Sequence, residues 1–247
     1  LCHTGIAIRT LVHFGYGDHT AGVRVGETSC EQTGWEATTS MRCLVAAGVG
    51  GSRRMSVTVG MQVGSATEAW SVDMPYLSAP TRSNGPGTGS ASVTVHGSGF
   101  GHATYSAGAR LGSTACESTV WESTTAARCL TGSGVRGSRA LVVTVGQGAG
   151  SATEAWSYDT AQVSAMRMSN LPTTGSASVT VHGSGFGATQ HSAALRWAAT
   201  SCESTVWASE TRLYCMITPG IGATRRLVIT SGGRVGTLTE AWSMDAP

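Results

Sequence analysis

The chain has no lysine and little charge of either sign. Arginine fills all 16 of its Lys and Arg positions, and charged residues make up 12% of its 247 residues, against about a quarter in typical soluble domains. The formal net charge is only +2, and no basic block is present. Both observations argue against a nucleic-acid-binding surface.

Long apolar runs and N-glycosylation signals are also missing. No run approaches the roughly 20 residues that a membrane-spanning helix needs, so no span is predicted in this segment. Asn84 is followed by Gly-Pro and Asn170 by Leu-Pro, and neither fits the N-x-Ser/Thr pattern. Any attached glycan would therefore be O-linked, on the abundant serines and threonines.

The sequence instead contains a repeat with a fixed period. Cys30 and Cys43 recur 86 positions later as Cys116 and Cys129, and again as Cys202 and Cys215. Whole phrases return with them, such as SASVTVHGSGFG at 90–101 and at 176–187. A constant period of this length predicts tandem structural units. Because every unit has the same framework, a catalytic site built three times is implausible, and we predict no enzyme.

The period sets the expected domain boundaries. We place the repeats at residues 1–75, 76–161 and 162–247. The first has only 75 residues and lacks an opening strand, and the sequence starts with Leu1 rather than Met. We therefore expect a segment of a longer array, in which an absent secretion signal carries no information.

The paired cysteines fit disulfides better than metal sites. Zinc usually takes four ligands, often from two close pairs, whereas each repeat has one C-x12-C pair and no histidine shared by all three copies. We predict the bridges Cys30–Cys43, Cys116–Cys129 and Cys202–Cys215 in an oxidising, extracellular compartment. Cys2 is left unpaired, or bridged to a segment or chain outside this sequence; its counterparts are Thr88 and Thr174.

The middle repeat reads as short strands separated by glycine-rich turns. Val93 and Val95 alternate with polar residues, and Trp156 shares a strand face with Tyr158, which predicts half-buried strands. A β-sandwich follows from this spacing. The predicted strands are 76–82, 92–96, 107–111, 126–130, 140–145 and 153–158.

Several of these phrases resemble the IPT/TIG domain, an immunoglobulin-like sandwich. They are V-T-V-H-G-S-G-F-G, R-x-G-x-x-x-C, L-V-V-T-V-G and W-S-Y-D, and the most telling are Gly99–Gly101 and Trp156–Tyr158. The resemblance covers the second and third repeats; the first departs from it around Phe14, where the G-S-G glycines are missing. It implies an all-β fold of three tandem sandwiches and transfers no catalytic residue.

Five charged positions occur in all three repeats. Paired carboxylates can act as general acid and base, but we favour salt bridges and turn caps at the sandwich rims. One specific expectation is an ion pair between Arg110 and Glu154 on adjacent strands. The sets are Arg24/Arg110/Arg196, Arg53/Arg139/Arg225, Glu31/Glu117/Glu203, Glu68/Glu154/Glu240 and Asp73/Asp159/Asp245.

Other candidate sites have simple structural interpretations. His96 and His182 read as outward strand residues rather than metal ligands. The G-S-G-F-G phrase joins two strands and lacks the helix and lysine of a phosphate loop. Trp121 either packs over the Cys116–Cys129 bridge, which we favour, or is an exposed anchor for a partner. No cofactor or metal site is predicted.

These observations favour a non-enzymatic, extracellular structural repeat protein that assembles into a filament, coat or surface appendage. Its partners would be copies of itself or neighbouring structural proteins, with O-linked glycans. The arginine-only, Gly/Ala/Ser/Thr-rich composition resembles that of surface proteins of green algae and related protists, including the sheath proteins of flagellar hairs (mastigonemes). The alternative is a receptor or adhesin ectodomain that binds a protein or glycan.

Overall fold

A computed structural model describes residues 5–9, 14, 21–135, 137–167, 170–189, 193–221 and 225–244. In these ranges the chain is all-β and has no helix, and therefore none long and apolar enough to cross a membrane. The strands of the first repeat are β1 (Gly5–Arg9), β2 (Ala21–Val25), β3 (Thr28–Ser29), β4 (Gln32–Ala37), β5 (Ser40–Leu44), β6 (Ser52–Val59) and β7 (Gln62–Ser71).

The second and third repeats have nine strands each, in matching order. Those of the middle repeat are β8 (Tyr76–Pro80), β9 (Asn84–Gly85), β10 (Ser92–Ser98), β11 (Gly108–Leu111), β12 (Thr114–Ala115), β13 (Ser118–Ser123), β14 (Ala126–Leu130), β15 (Arg139–Val145) and β16 (Gly148–Tyr158). Those of the last repeat are β17 (Gln162–Arg167), β18 (Asn170–Leu171), β19 (Ser178–Ser184), β20 (Ala194–Trp197), β21 (Thr200–Ser201), β22 (Ser204–Ser209), β23 (Arg212–Met216), β24 (Arg225–Ser231) and β25 (Arg234–Met244).

Each repeat forms two sheets. In the middle repeat one sheet has the order β13-β14-β10-β8 and the other β12-β11-β15-β16-β9, with β9 parallel to β16. The last repeat has the same topology. The first has sheets β1-β5-β4 and β3-β2-β6-β7, so its described part contains no counterpart of β8 or β9.

Alternation along the strands builds the core of the middle repeat. Val93 and Val95 are buried while Ser92 and His96 are exposed. Trp156 and Tyr158 are both buried, with ring centroids 6.1 Å apart and their planes nearly perpendicular, a favoured arrangement for aromatic pairs. The predicted all-β sandwich fold is therefore confirmed.

A disulfide closes each repeat beside its core. The bridges join Cys30 to Cys43, Cys116 to Cys129 and Cys202 to Cys215, each with a Cα–Cα distance of 5.7 Å. The second cysteine of each pair is buried on the central strand of a sheet. The fold prediction of one disulfide per sandwich is confirmed, whereas Cys2 lies outside the described residues.

Several local features differ from the sequence prediction: β9 and β12 were not expected, and β16 begins at Gly148 and not at residue 153. Ser118–Ser123 is a strand, β13, that pairs along β14 with a bulge after Trp121. The apolar Val120 is on its outward side, 44% exposed, while the polar Thr119 is on its inward side, and this hid the alternation. Gly97 and Ser98 continue β10 instead of breaking it, because β8 pairs with β10 across a bulge at this point.

Candidate functional site

The contact between the first and middle repeats centres on Val49. This residue belongs to the first repeat but is buried in the core cluster of the middle repeat. It lies between two glycines: a Cβ built on Gly101 would lie 2.6 Å from its Cγ1, and one on Gly146 would lie 2.7 Å from its Cγ2. Only glycine leaves room for Val49 here, so this valine is a plug and the Gly146 turn is its socket.

The second junction repeats this contact 86 positions later. Val135 of the middle repeat lies over Gly232 of the last, where an added Cβ would be 2.8 Å from the valine Cβ. Gly146 and Gly232 have nearly the same backbone, with φ of +57° and +56°. In addition, Arg234 donates a hydrogen bond to the Tyr158 carbonyl. The plug and socket are thus a repeated device for joining units.

Other glycines make room for the linker between repeats. In the middle repeat, a Cβ on Gly97 would overlap the Tyr76 carbonyl oxygen, and one on Gly150 would overlap that of Pro75. The last repeat has the same close approaches. Gly183 lies against the Gln162 carbonyl, Gly185 against that of Thr160, and Gly236 against that of Ala161. The glycines of the G-S-G phrase therefore allow close approach of the linker backbone, a role that the sequence alone does not indicate.

A cleft of about 350 Å³ opens at the first junction. It is bordered by Cys30, Val49, Arg53, Tyr105 and Gln147, among others. Its lining contains one carboxylate, from Glu27, and neither histidine nor a second acid. The Arg53 guanidinium already donates to the Val49 carbonyl at 2.7 Å. These side chains offer no acid–base pair or activated nucleophile.

The predicted ion pair between Arg110 and Glu154 is wrong. Arg110 is on β11 and Glu154 on β16, and β15 separates these strands in the sheet. The repeated glutamate has a different local feature: Glu68, Glu154 and Glu240 have φ of 51°, 53° and 53°. The position falls within a β-bulge, opposite the register shift between Arg139 and Leu141 in the middle repeat.

The repeated arginines near residue 53 are framework residues. Arg53 lies near Gly26, and Arg139 near Gly112, where an added Cβ would be 2.8 Å from its Nη1. Arg225 stacks on the Trp197 ring at 5.3 Å, within cation–π range. Each arginine thus lies over a tight turn of its own repeat, namely the turn between β2 and β3, between β11 and β12, or between β20 and β21.

The remaining predicted residues do not converge on one site. His96 is exposed, as expected, and no cluster of three metal-ligating side chains occurs among the described residues. Trp121 packs inward against the core that contains Cys129, and its indole nitrogen donates to the Phe100 carbonyl at 2.9 Å. This supports a framework role for Trp121 over that of an exposed anchor.

The outward face of one sheet differs between the repeats. In the first two it carries ion pairs, Arg42–Glu36 at 2.7 Å and Arg128–Glu122 at 3.2 Å. In the last, Tyr214 and Ala208 occupy these positions. There the side chains of Val206, Tyr214 and Met216 are 52%, 37% and 41% exposed. We call these three residues the apolar patch.

Comparison with protein families agrees with this fold. The family model for the IPT/TIG domain matches residues 75–158 and 161–242. The chain belongs to the IPT/TIG family. The search of curated proteins found no match.

Several solved structures are distantly similar. A crystal structure with a xylogluco-oligosaccharide has 11% identity and a TM-score of 0.39, covering 96% of this chain and 56% of that one. The plexin A4 extracellular region has 10% identity and a TM-score of 0.35, and the match covers 98% of this chain and 32% of that one. The surface glycan-binding protein PbSGBP-B of Prevotella bryantii has 9% identity and a TM-score of 0.42, and the match covers 67% of this chain and 41% of that one. The chain thus spans about half or less of the length of each of these three proteins.

Proposed function

We propose that this protein is a non-enzymatic structural repeat protein that assembles into a filament, coat or surface appendage. Its units are the three repeats 1–75, 76–161 and 162–247. The observation that carries the proposal is the junction, in which Val49 and Val135 fill equivalent glycine sockets. Repeat proteins whose units contact their neighbours present the same surface at regular intervals, which suits assembly.

The disulfides indicate where such an assembly would work. Three bridges in a chain of this size are typical of oxidising compartments, and the protein is accordingly assigned to the extracellular space or cell surface. The low charge fits a surface covered by neighbouring copies and by O-linked glycans. The finer assignment, to an appendage of the mastigoneme type, rests on the composition.

Sedimentation velocity over a wide concentration range tests the structural role. We expect the purified protein to form larger species as its concentration rises, visible as extended particles by negative-stain electron microscopy. A single monomeric species at every concentration and salt condition would reject assembly by this segment. The variant Val120→Asp serves as a surface control, because Val120 is 44% exposed on β13 and belongs neither to the junction contacts nor to the apolar patch.

The alternative function is a receptor or adhesin ectodomain, and the apolar patch favours it. In the middle repeat Val120 is also exposed, at the position of Val206, but Arg128 replaces Tyr214 there and pairs with Glu122. Exposed aromatic and apolar side chains are common anchors of binding surfaces. A patch confined to one repeat would give a single binding site per chain.

A double variant separates the two functions. Ala208→Glu with Tyr214→Arg restores the charge pattern of the middle repeat and removes the ring. If the apolar patch is the binding site, the variant loses retention by cell-surface glycans or proteins and keeps its sedimentation behaviour. If the protein is structural through its junctions, neither property changes. The wild-type chain and the Val120→Asp variant are the reference samples.

A further inference from the structure

The middle and last repeats each bury an aromatic ring that the first repeat lacks. In the middle repeat the ring is that of Tyr158, at the end of β16, and in the last it is that of Trp197, at the end of β20. The corresponding residues of the first repeat, 86 and 172 positions earlier, are Val72 and Val25. The first repeat therefore has a valine at both positions from which a ring could come.

The two rings reach the same loop although they come from different strands. The Tyr158 hydroxyl donates to the Gly132 carbonyl at 2.9 Å, and the Trp197 indole nitrogen donates to the Thr218 hydroxyl at 3.2 Å. Gly132 and Thr218 are 86 positions apart, so they are the same position of the fold. Its counterpart in the first repeat is Ala46.

The cleft at the first junction lies where this ring is missing. Val25, Ala46 and Val72 all line it, and they are the two ring positions and the position that accepts the hydrogen bond. In the middle repeat the ring and the opening strands are both present, so an opening strand does not take the place of the ring. The cleft is thus a consequence of the two valines.

The loop beside the cleft shows the difference in side-chain size directly. In the middle repeat, a Cβ on Gly134 would be 2.6 Å from Cε2 of the Tyr158 ring. In the first repeat, a Cβ on the equivalent Gly48 would be 3.8 Å from the Val72 side chain, and Gly48 lines the cleft. The smaller valine leaves uncovered the loop that the tyrosine ring covers.

Arg53 places a cation beside the cleft. Its counterpart in the last repeat, Arg225, lies 5.3 Å from the centroid of the Trp197 ring, within cation–π range. Arg53 lines the cleft, and its hydrogen bond to the Val49 carbonyl holds the guanidinium in place. The group that stacks on a ring in the last repeat is therefore already positioned in the first, which favours binding of a ring.

We propose that this cleft binds a small phenol, with its ring between Val25 and Val72 and its hydroxyl donating to the Ala46 carbonyl. The cleft volume of about 350 Å³ is within the range of small-ligand sites, about 300–1,000 Å³. Tyr105 and Gln147 of the middle repeat border the cleft as well, so two repeats enclose the ligand. This inference goes beyond the structural function and does not depend on assembly.

Titration with p-cresol tests the proposal, because this molecule is the tyrosine side chain in free form. Isothermal titration calorimetry of the whole chain should show a single saturable site. Toluene, which lacks only the hydroxyl, should bind about two- to tenfold more weakly, from the loss of one net hydrogen bond. Nuclear Overhauser effects from the p-cresol ring to the Val25 and Val72 methyl groups should locate the site without any variant.

Two variants that restore a ring provide the complementary test. Val72→Tyr introduces the ring of the middle repeat and Val25→Trp that of the last, and each should abolish p-cresol binding by filling the cleft. Val63→Tyr is the matched control, because Val63 is 65% exposed on β7 and does not line the cleft. It should bind p-cresol as the wild type does. Circular dichroism verifies that each variant is folded.

The contrary outcomes are distinguishable. If p-cresol shows no saturable binding, or if toluene binds equally well, the assignment to phenols is wrong. If both ring-restoring variants are folded and bind p-cresol like the wild type, the site is elsewhere. Binding of cellobiose without binding of p-cresol would assign the cleft to sugars instead. A chain that binds p-cresol but never assembles would reject the structural function and leave this inference standing.

Discussion

Gly64 and Gly150 occupy the same position in two repeats but have different surroundings. The Pro75 carbonyl and the Leu77 side chain lie against Gly150, whereas a Cβ on Gly64 would meet nothing within 4 Å. Leu77 belongs to β8, the opening strand of the middle repeat, and the described part of the first repeat has no counterpart of this strand. The difference separates positions that every repeat needs for its own two sheets from positions that matter only where an opening strand and the linker before it lie against them.

The disulfide belongs to the first kind, and its loss should have the largest effect. Replacing Cys116 and Cys129 together with alanine should destabilise the middle repeat by about 3 kcal/mol, from a bridge that closes a short loop. Replacing Cys30 and Cys43 should cost the first repeat a similar amount, because both bridges lie inside their own units. Hydrogen exchange, followed separately for each repeat, measures the loss of stability in both variants. A loss in only one of the two variants would contradict this assignment.

The glycine pair itself is the second test. Gly150→Ala should destabilise the middle repeat by about 1–3 kcal/mol, because the new methyl group displaces the linker backbone. Gly64→Ala should be neutral or stabilise the first repeat by up to about 1 kcal/mol, since alanine loses less entropy in a strand. Calorimetry of the two variants checks the contrast. Equal effects would show that the linker does not press on Gly150.

Tyr158 tests a feature restricted to the middle repeat. Its hydroxyl donates to the Gly132 carbonyl at 2.9 Å, and burial raises the pKa of this phenol above 10.0, against the opposing charge of Arg139. The folded state therefore holds the proton more tightly than the unfolded state, and stability falls as the pH rises from about 10 through the folded pKa.

Tyr158→Phe should cost about 1 kcal/mol near neutral pH, from the lost hydrogen bond. It should also weaken the loss of stability at alkaline pH. Chemical unfolding of both proteins at pH 8 and above pH 10 gives the comparison. Because Val72 and Met244 hold the equivalent positions, the alkaline effect should be confined to the middle repeat.

Ala198 offers the smallest effect and the opposite sign. It has φ of +53°, where the other repeats have Gly26 and Gly112 at +64° and +60°. Ala198→Gly should stabilise the last repeat by about 0.5–1 kcal/mol, because glycine adopts this backbone without strain. The reverse change, Gly112→Ala, should destabilise the middle repeat. Midpoints of thermal unfolding that move in the same direction would contradict this explanation.

The sequence was sufficient for the fold but not for the junctions. Periodicity and alternation revealed the sandwich, its core residues Val93 and Val95, and the cysteine pairs. The strand that carries Trp121 was missed because the apolar Val120 faces outward and the polar Thr119 faces inward. The expected pairing of Arg110 with Glu154 failed because β15 lies between their strands, and sheet order depends on long-range pairing that no local pattern encodes.

The plug and socket were missed for a related reason. Val49 stands in a loop without periodicity, and Gly146 reads as an ordinary turn glycine. Their contact depends on how consecutive repeats are placed, which the repeat sequence alone does not specify. The 86-residue spacing from Val49 to Val135 was the available signal, but it became informative only when the glycine opposite each valine was known.

Trapping the first junction tests the central claim most directly. A Cβ on Gly146 would lie 3.8 Å from that of Val49, which is the usual separation in a disulfide. In a chain with Cys2→Thr, the variants Val49→Cys and Gly146→Cys together should form a bridge within one chain under mild oxidation. Mass spectrometry of the unreduced digest should find residues 49 and 146 linked while the three native bridges persist. Two free thiols at these positions after oxidation would contradict the docked arrangement of the repeats.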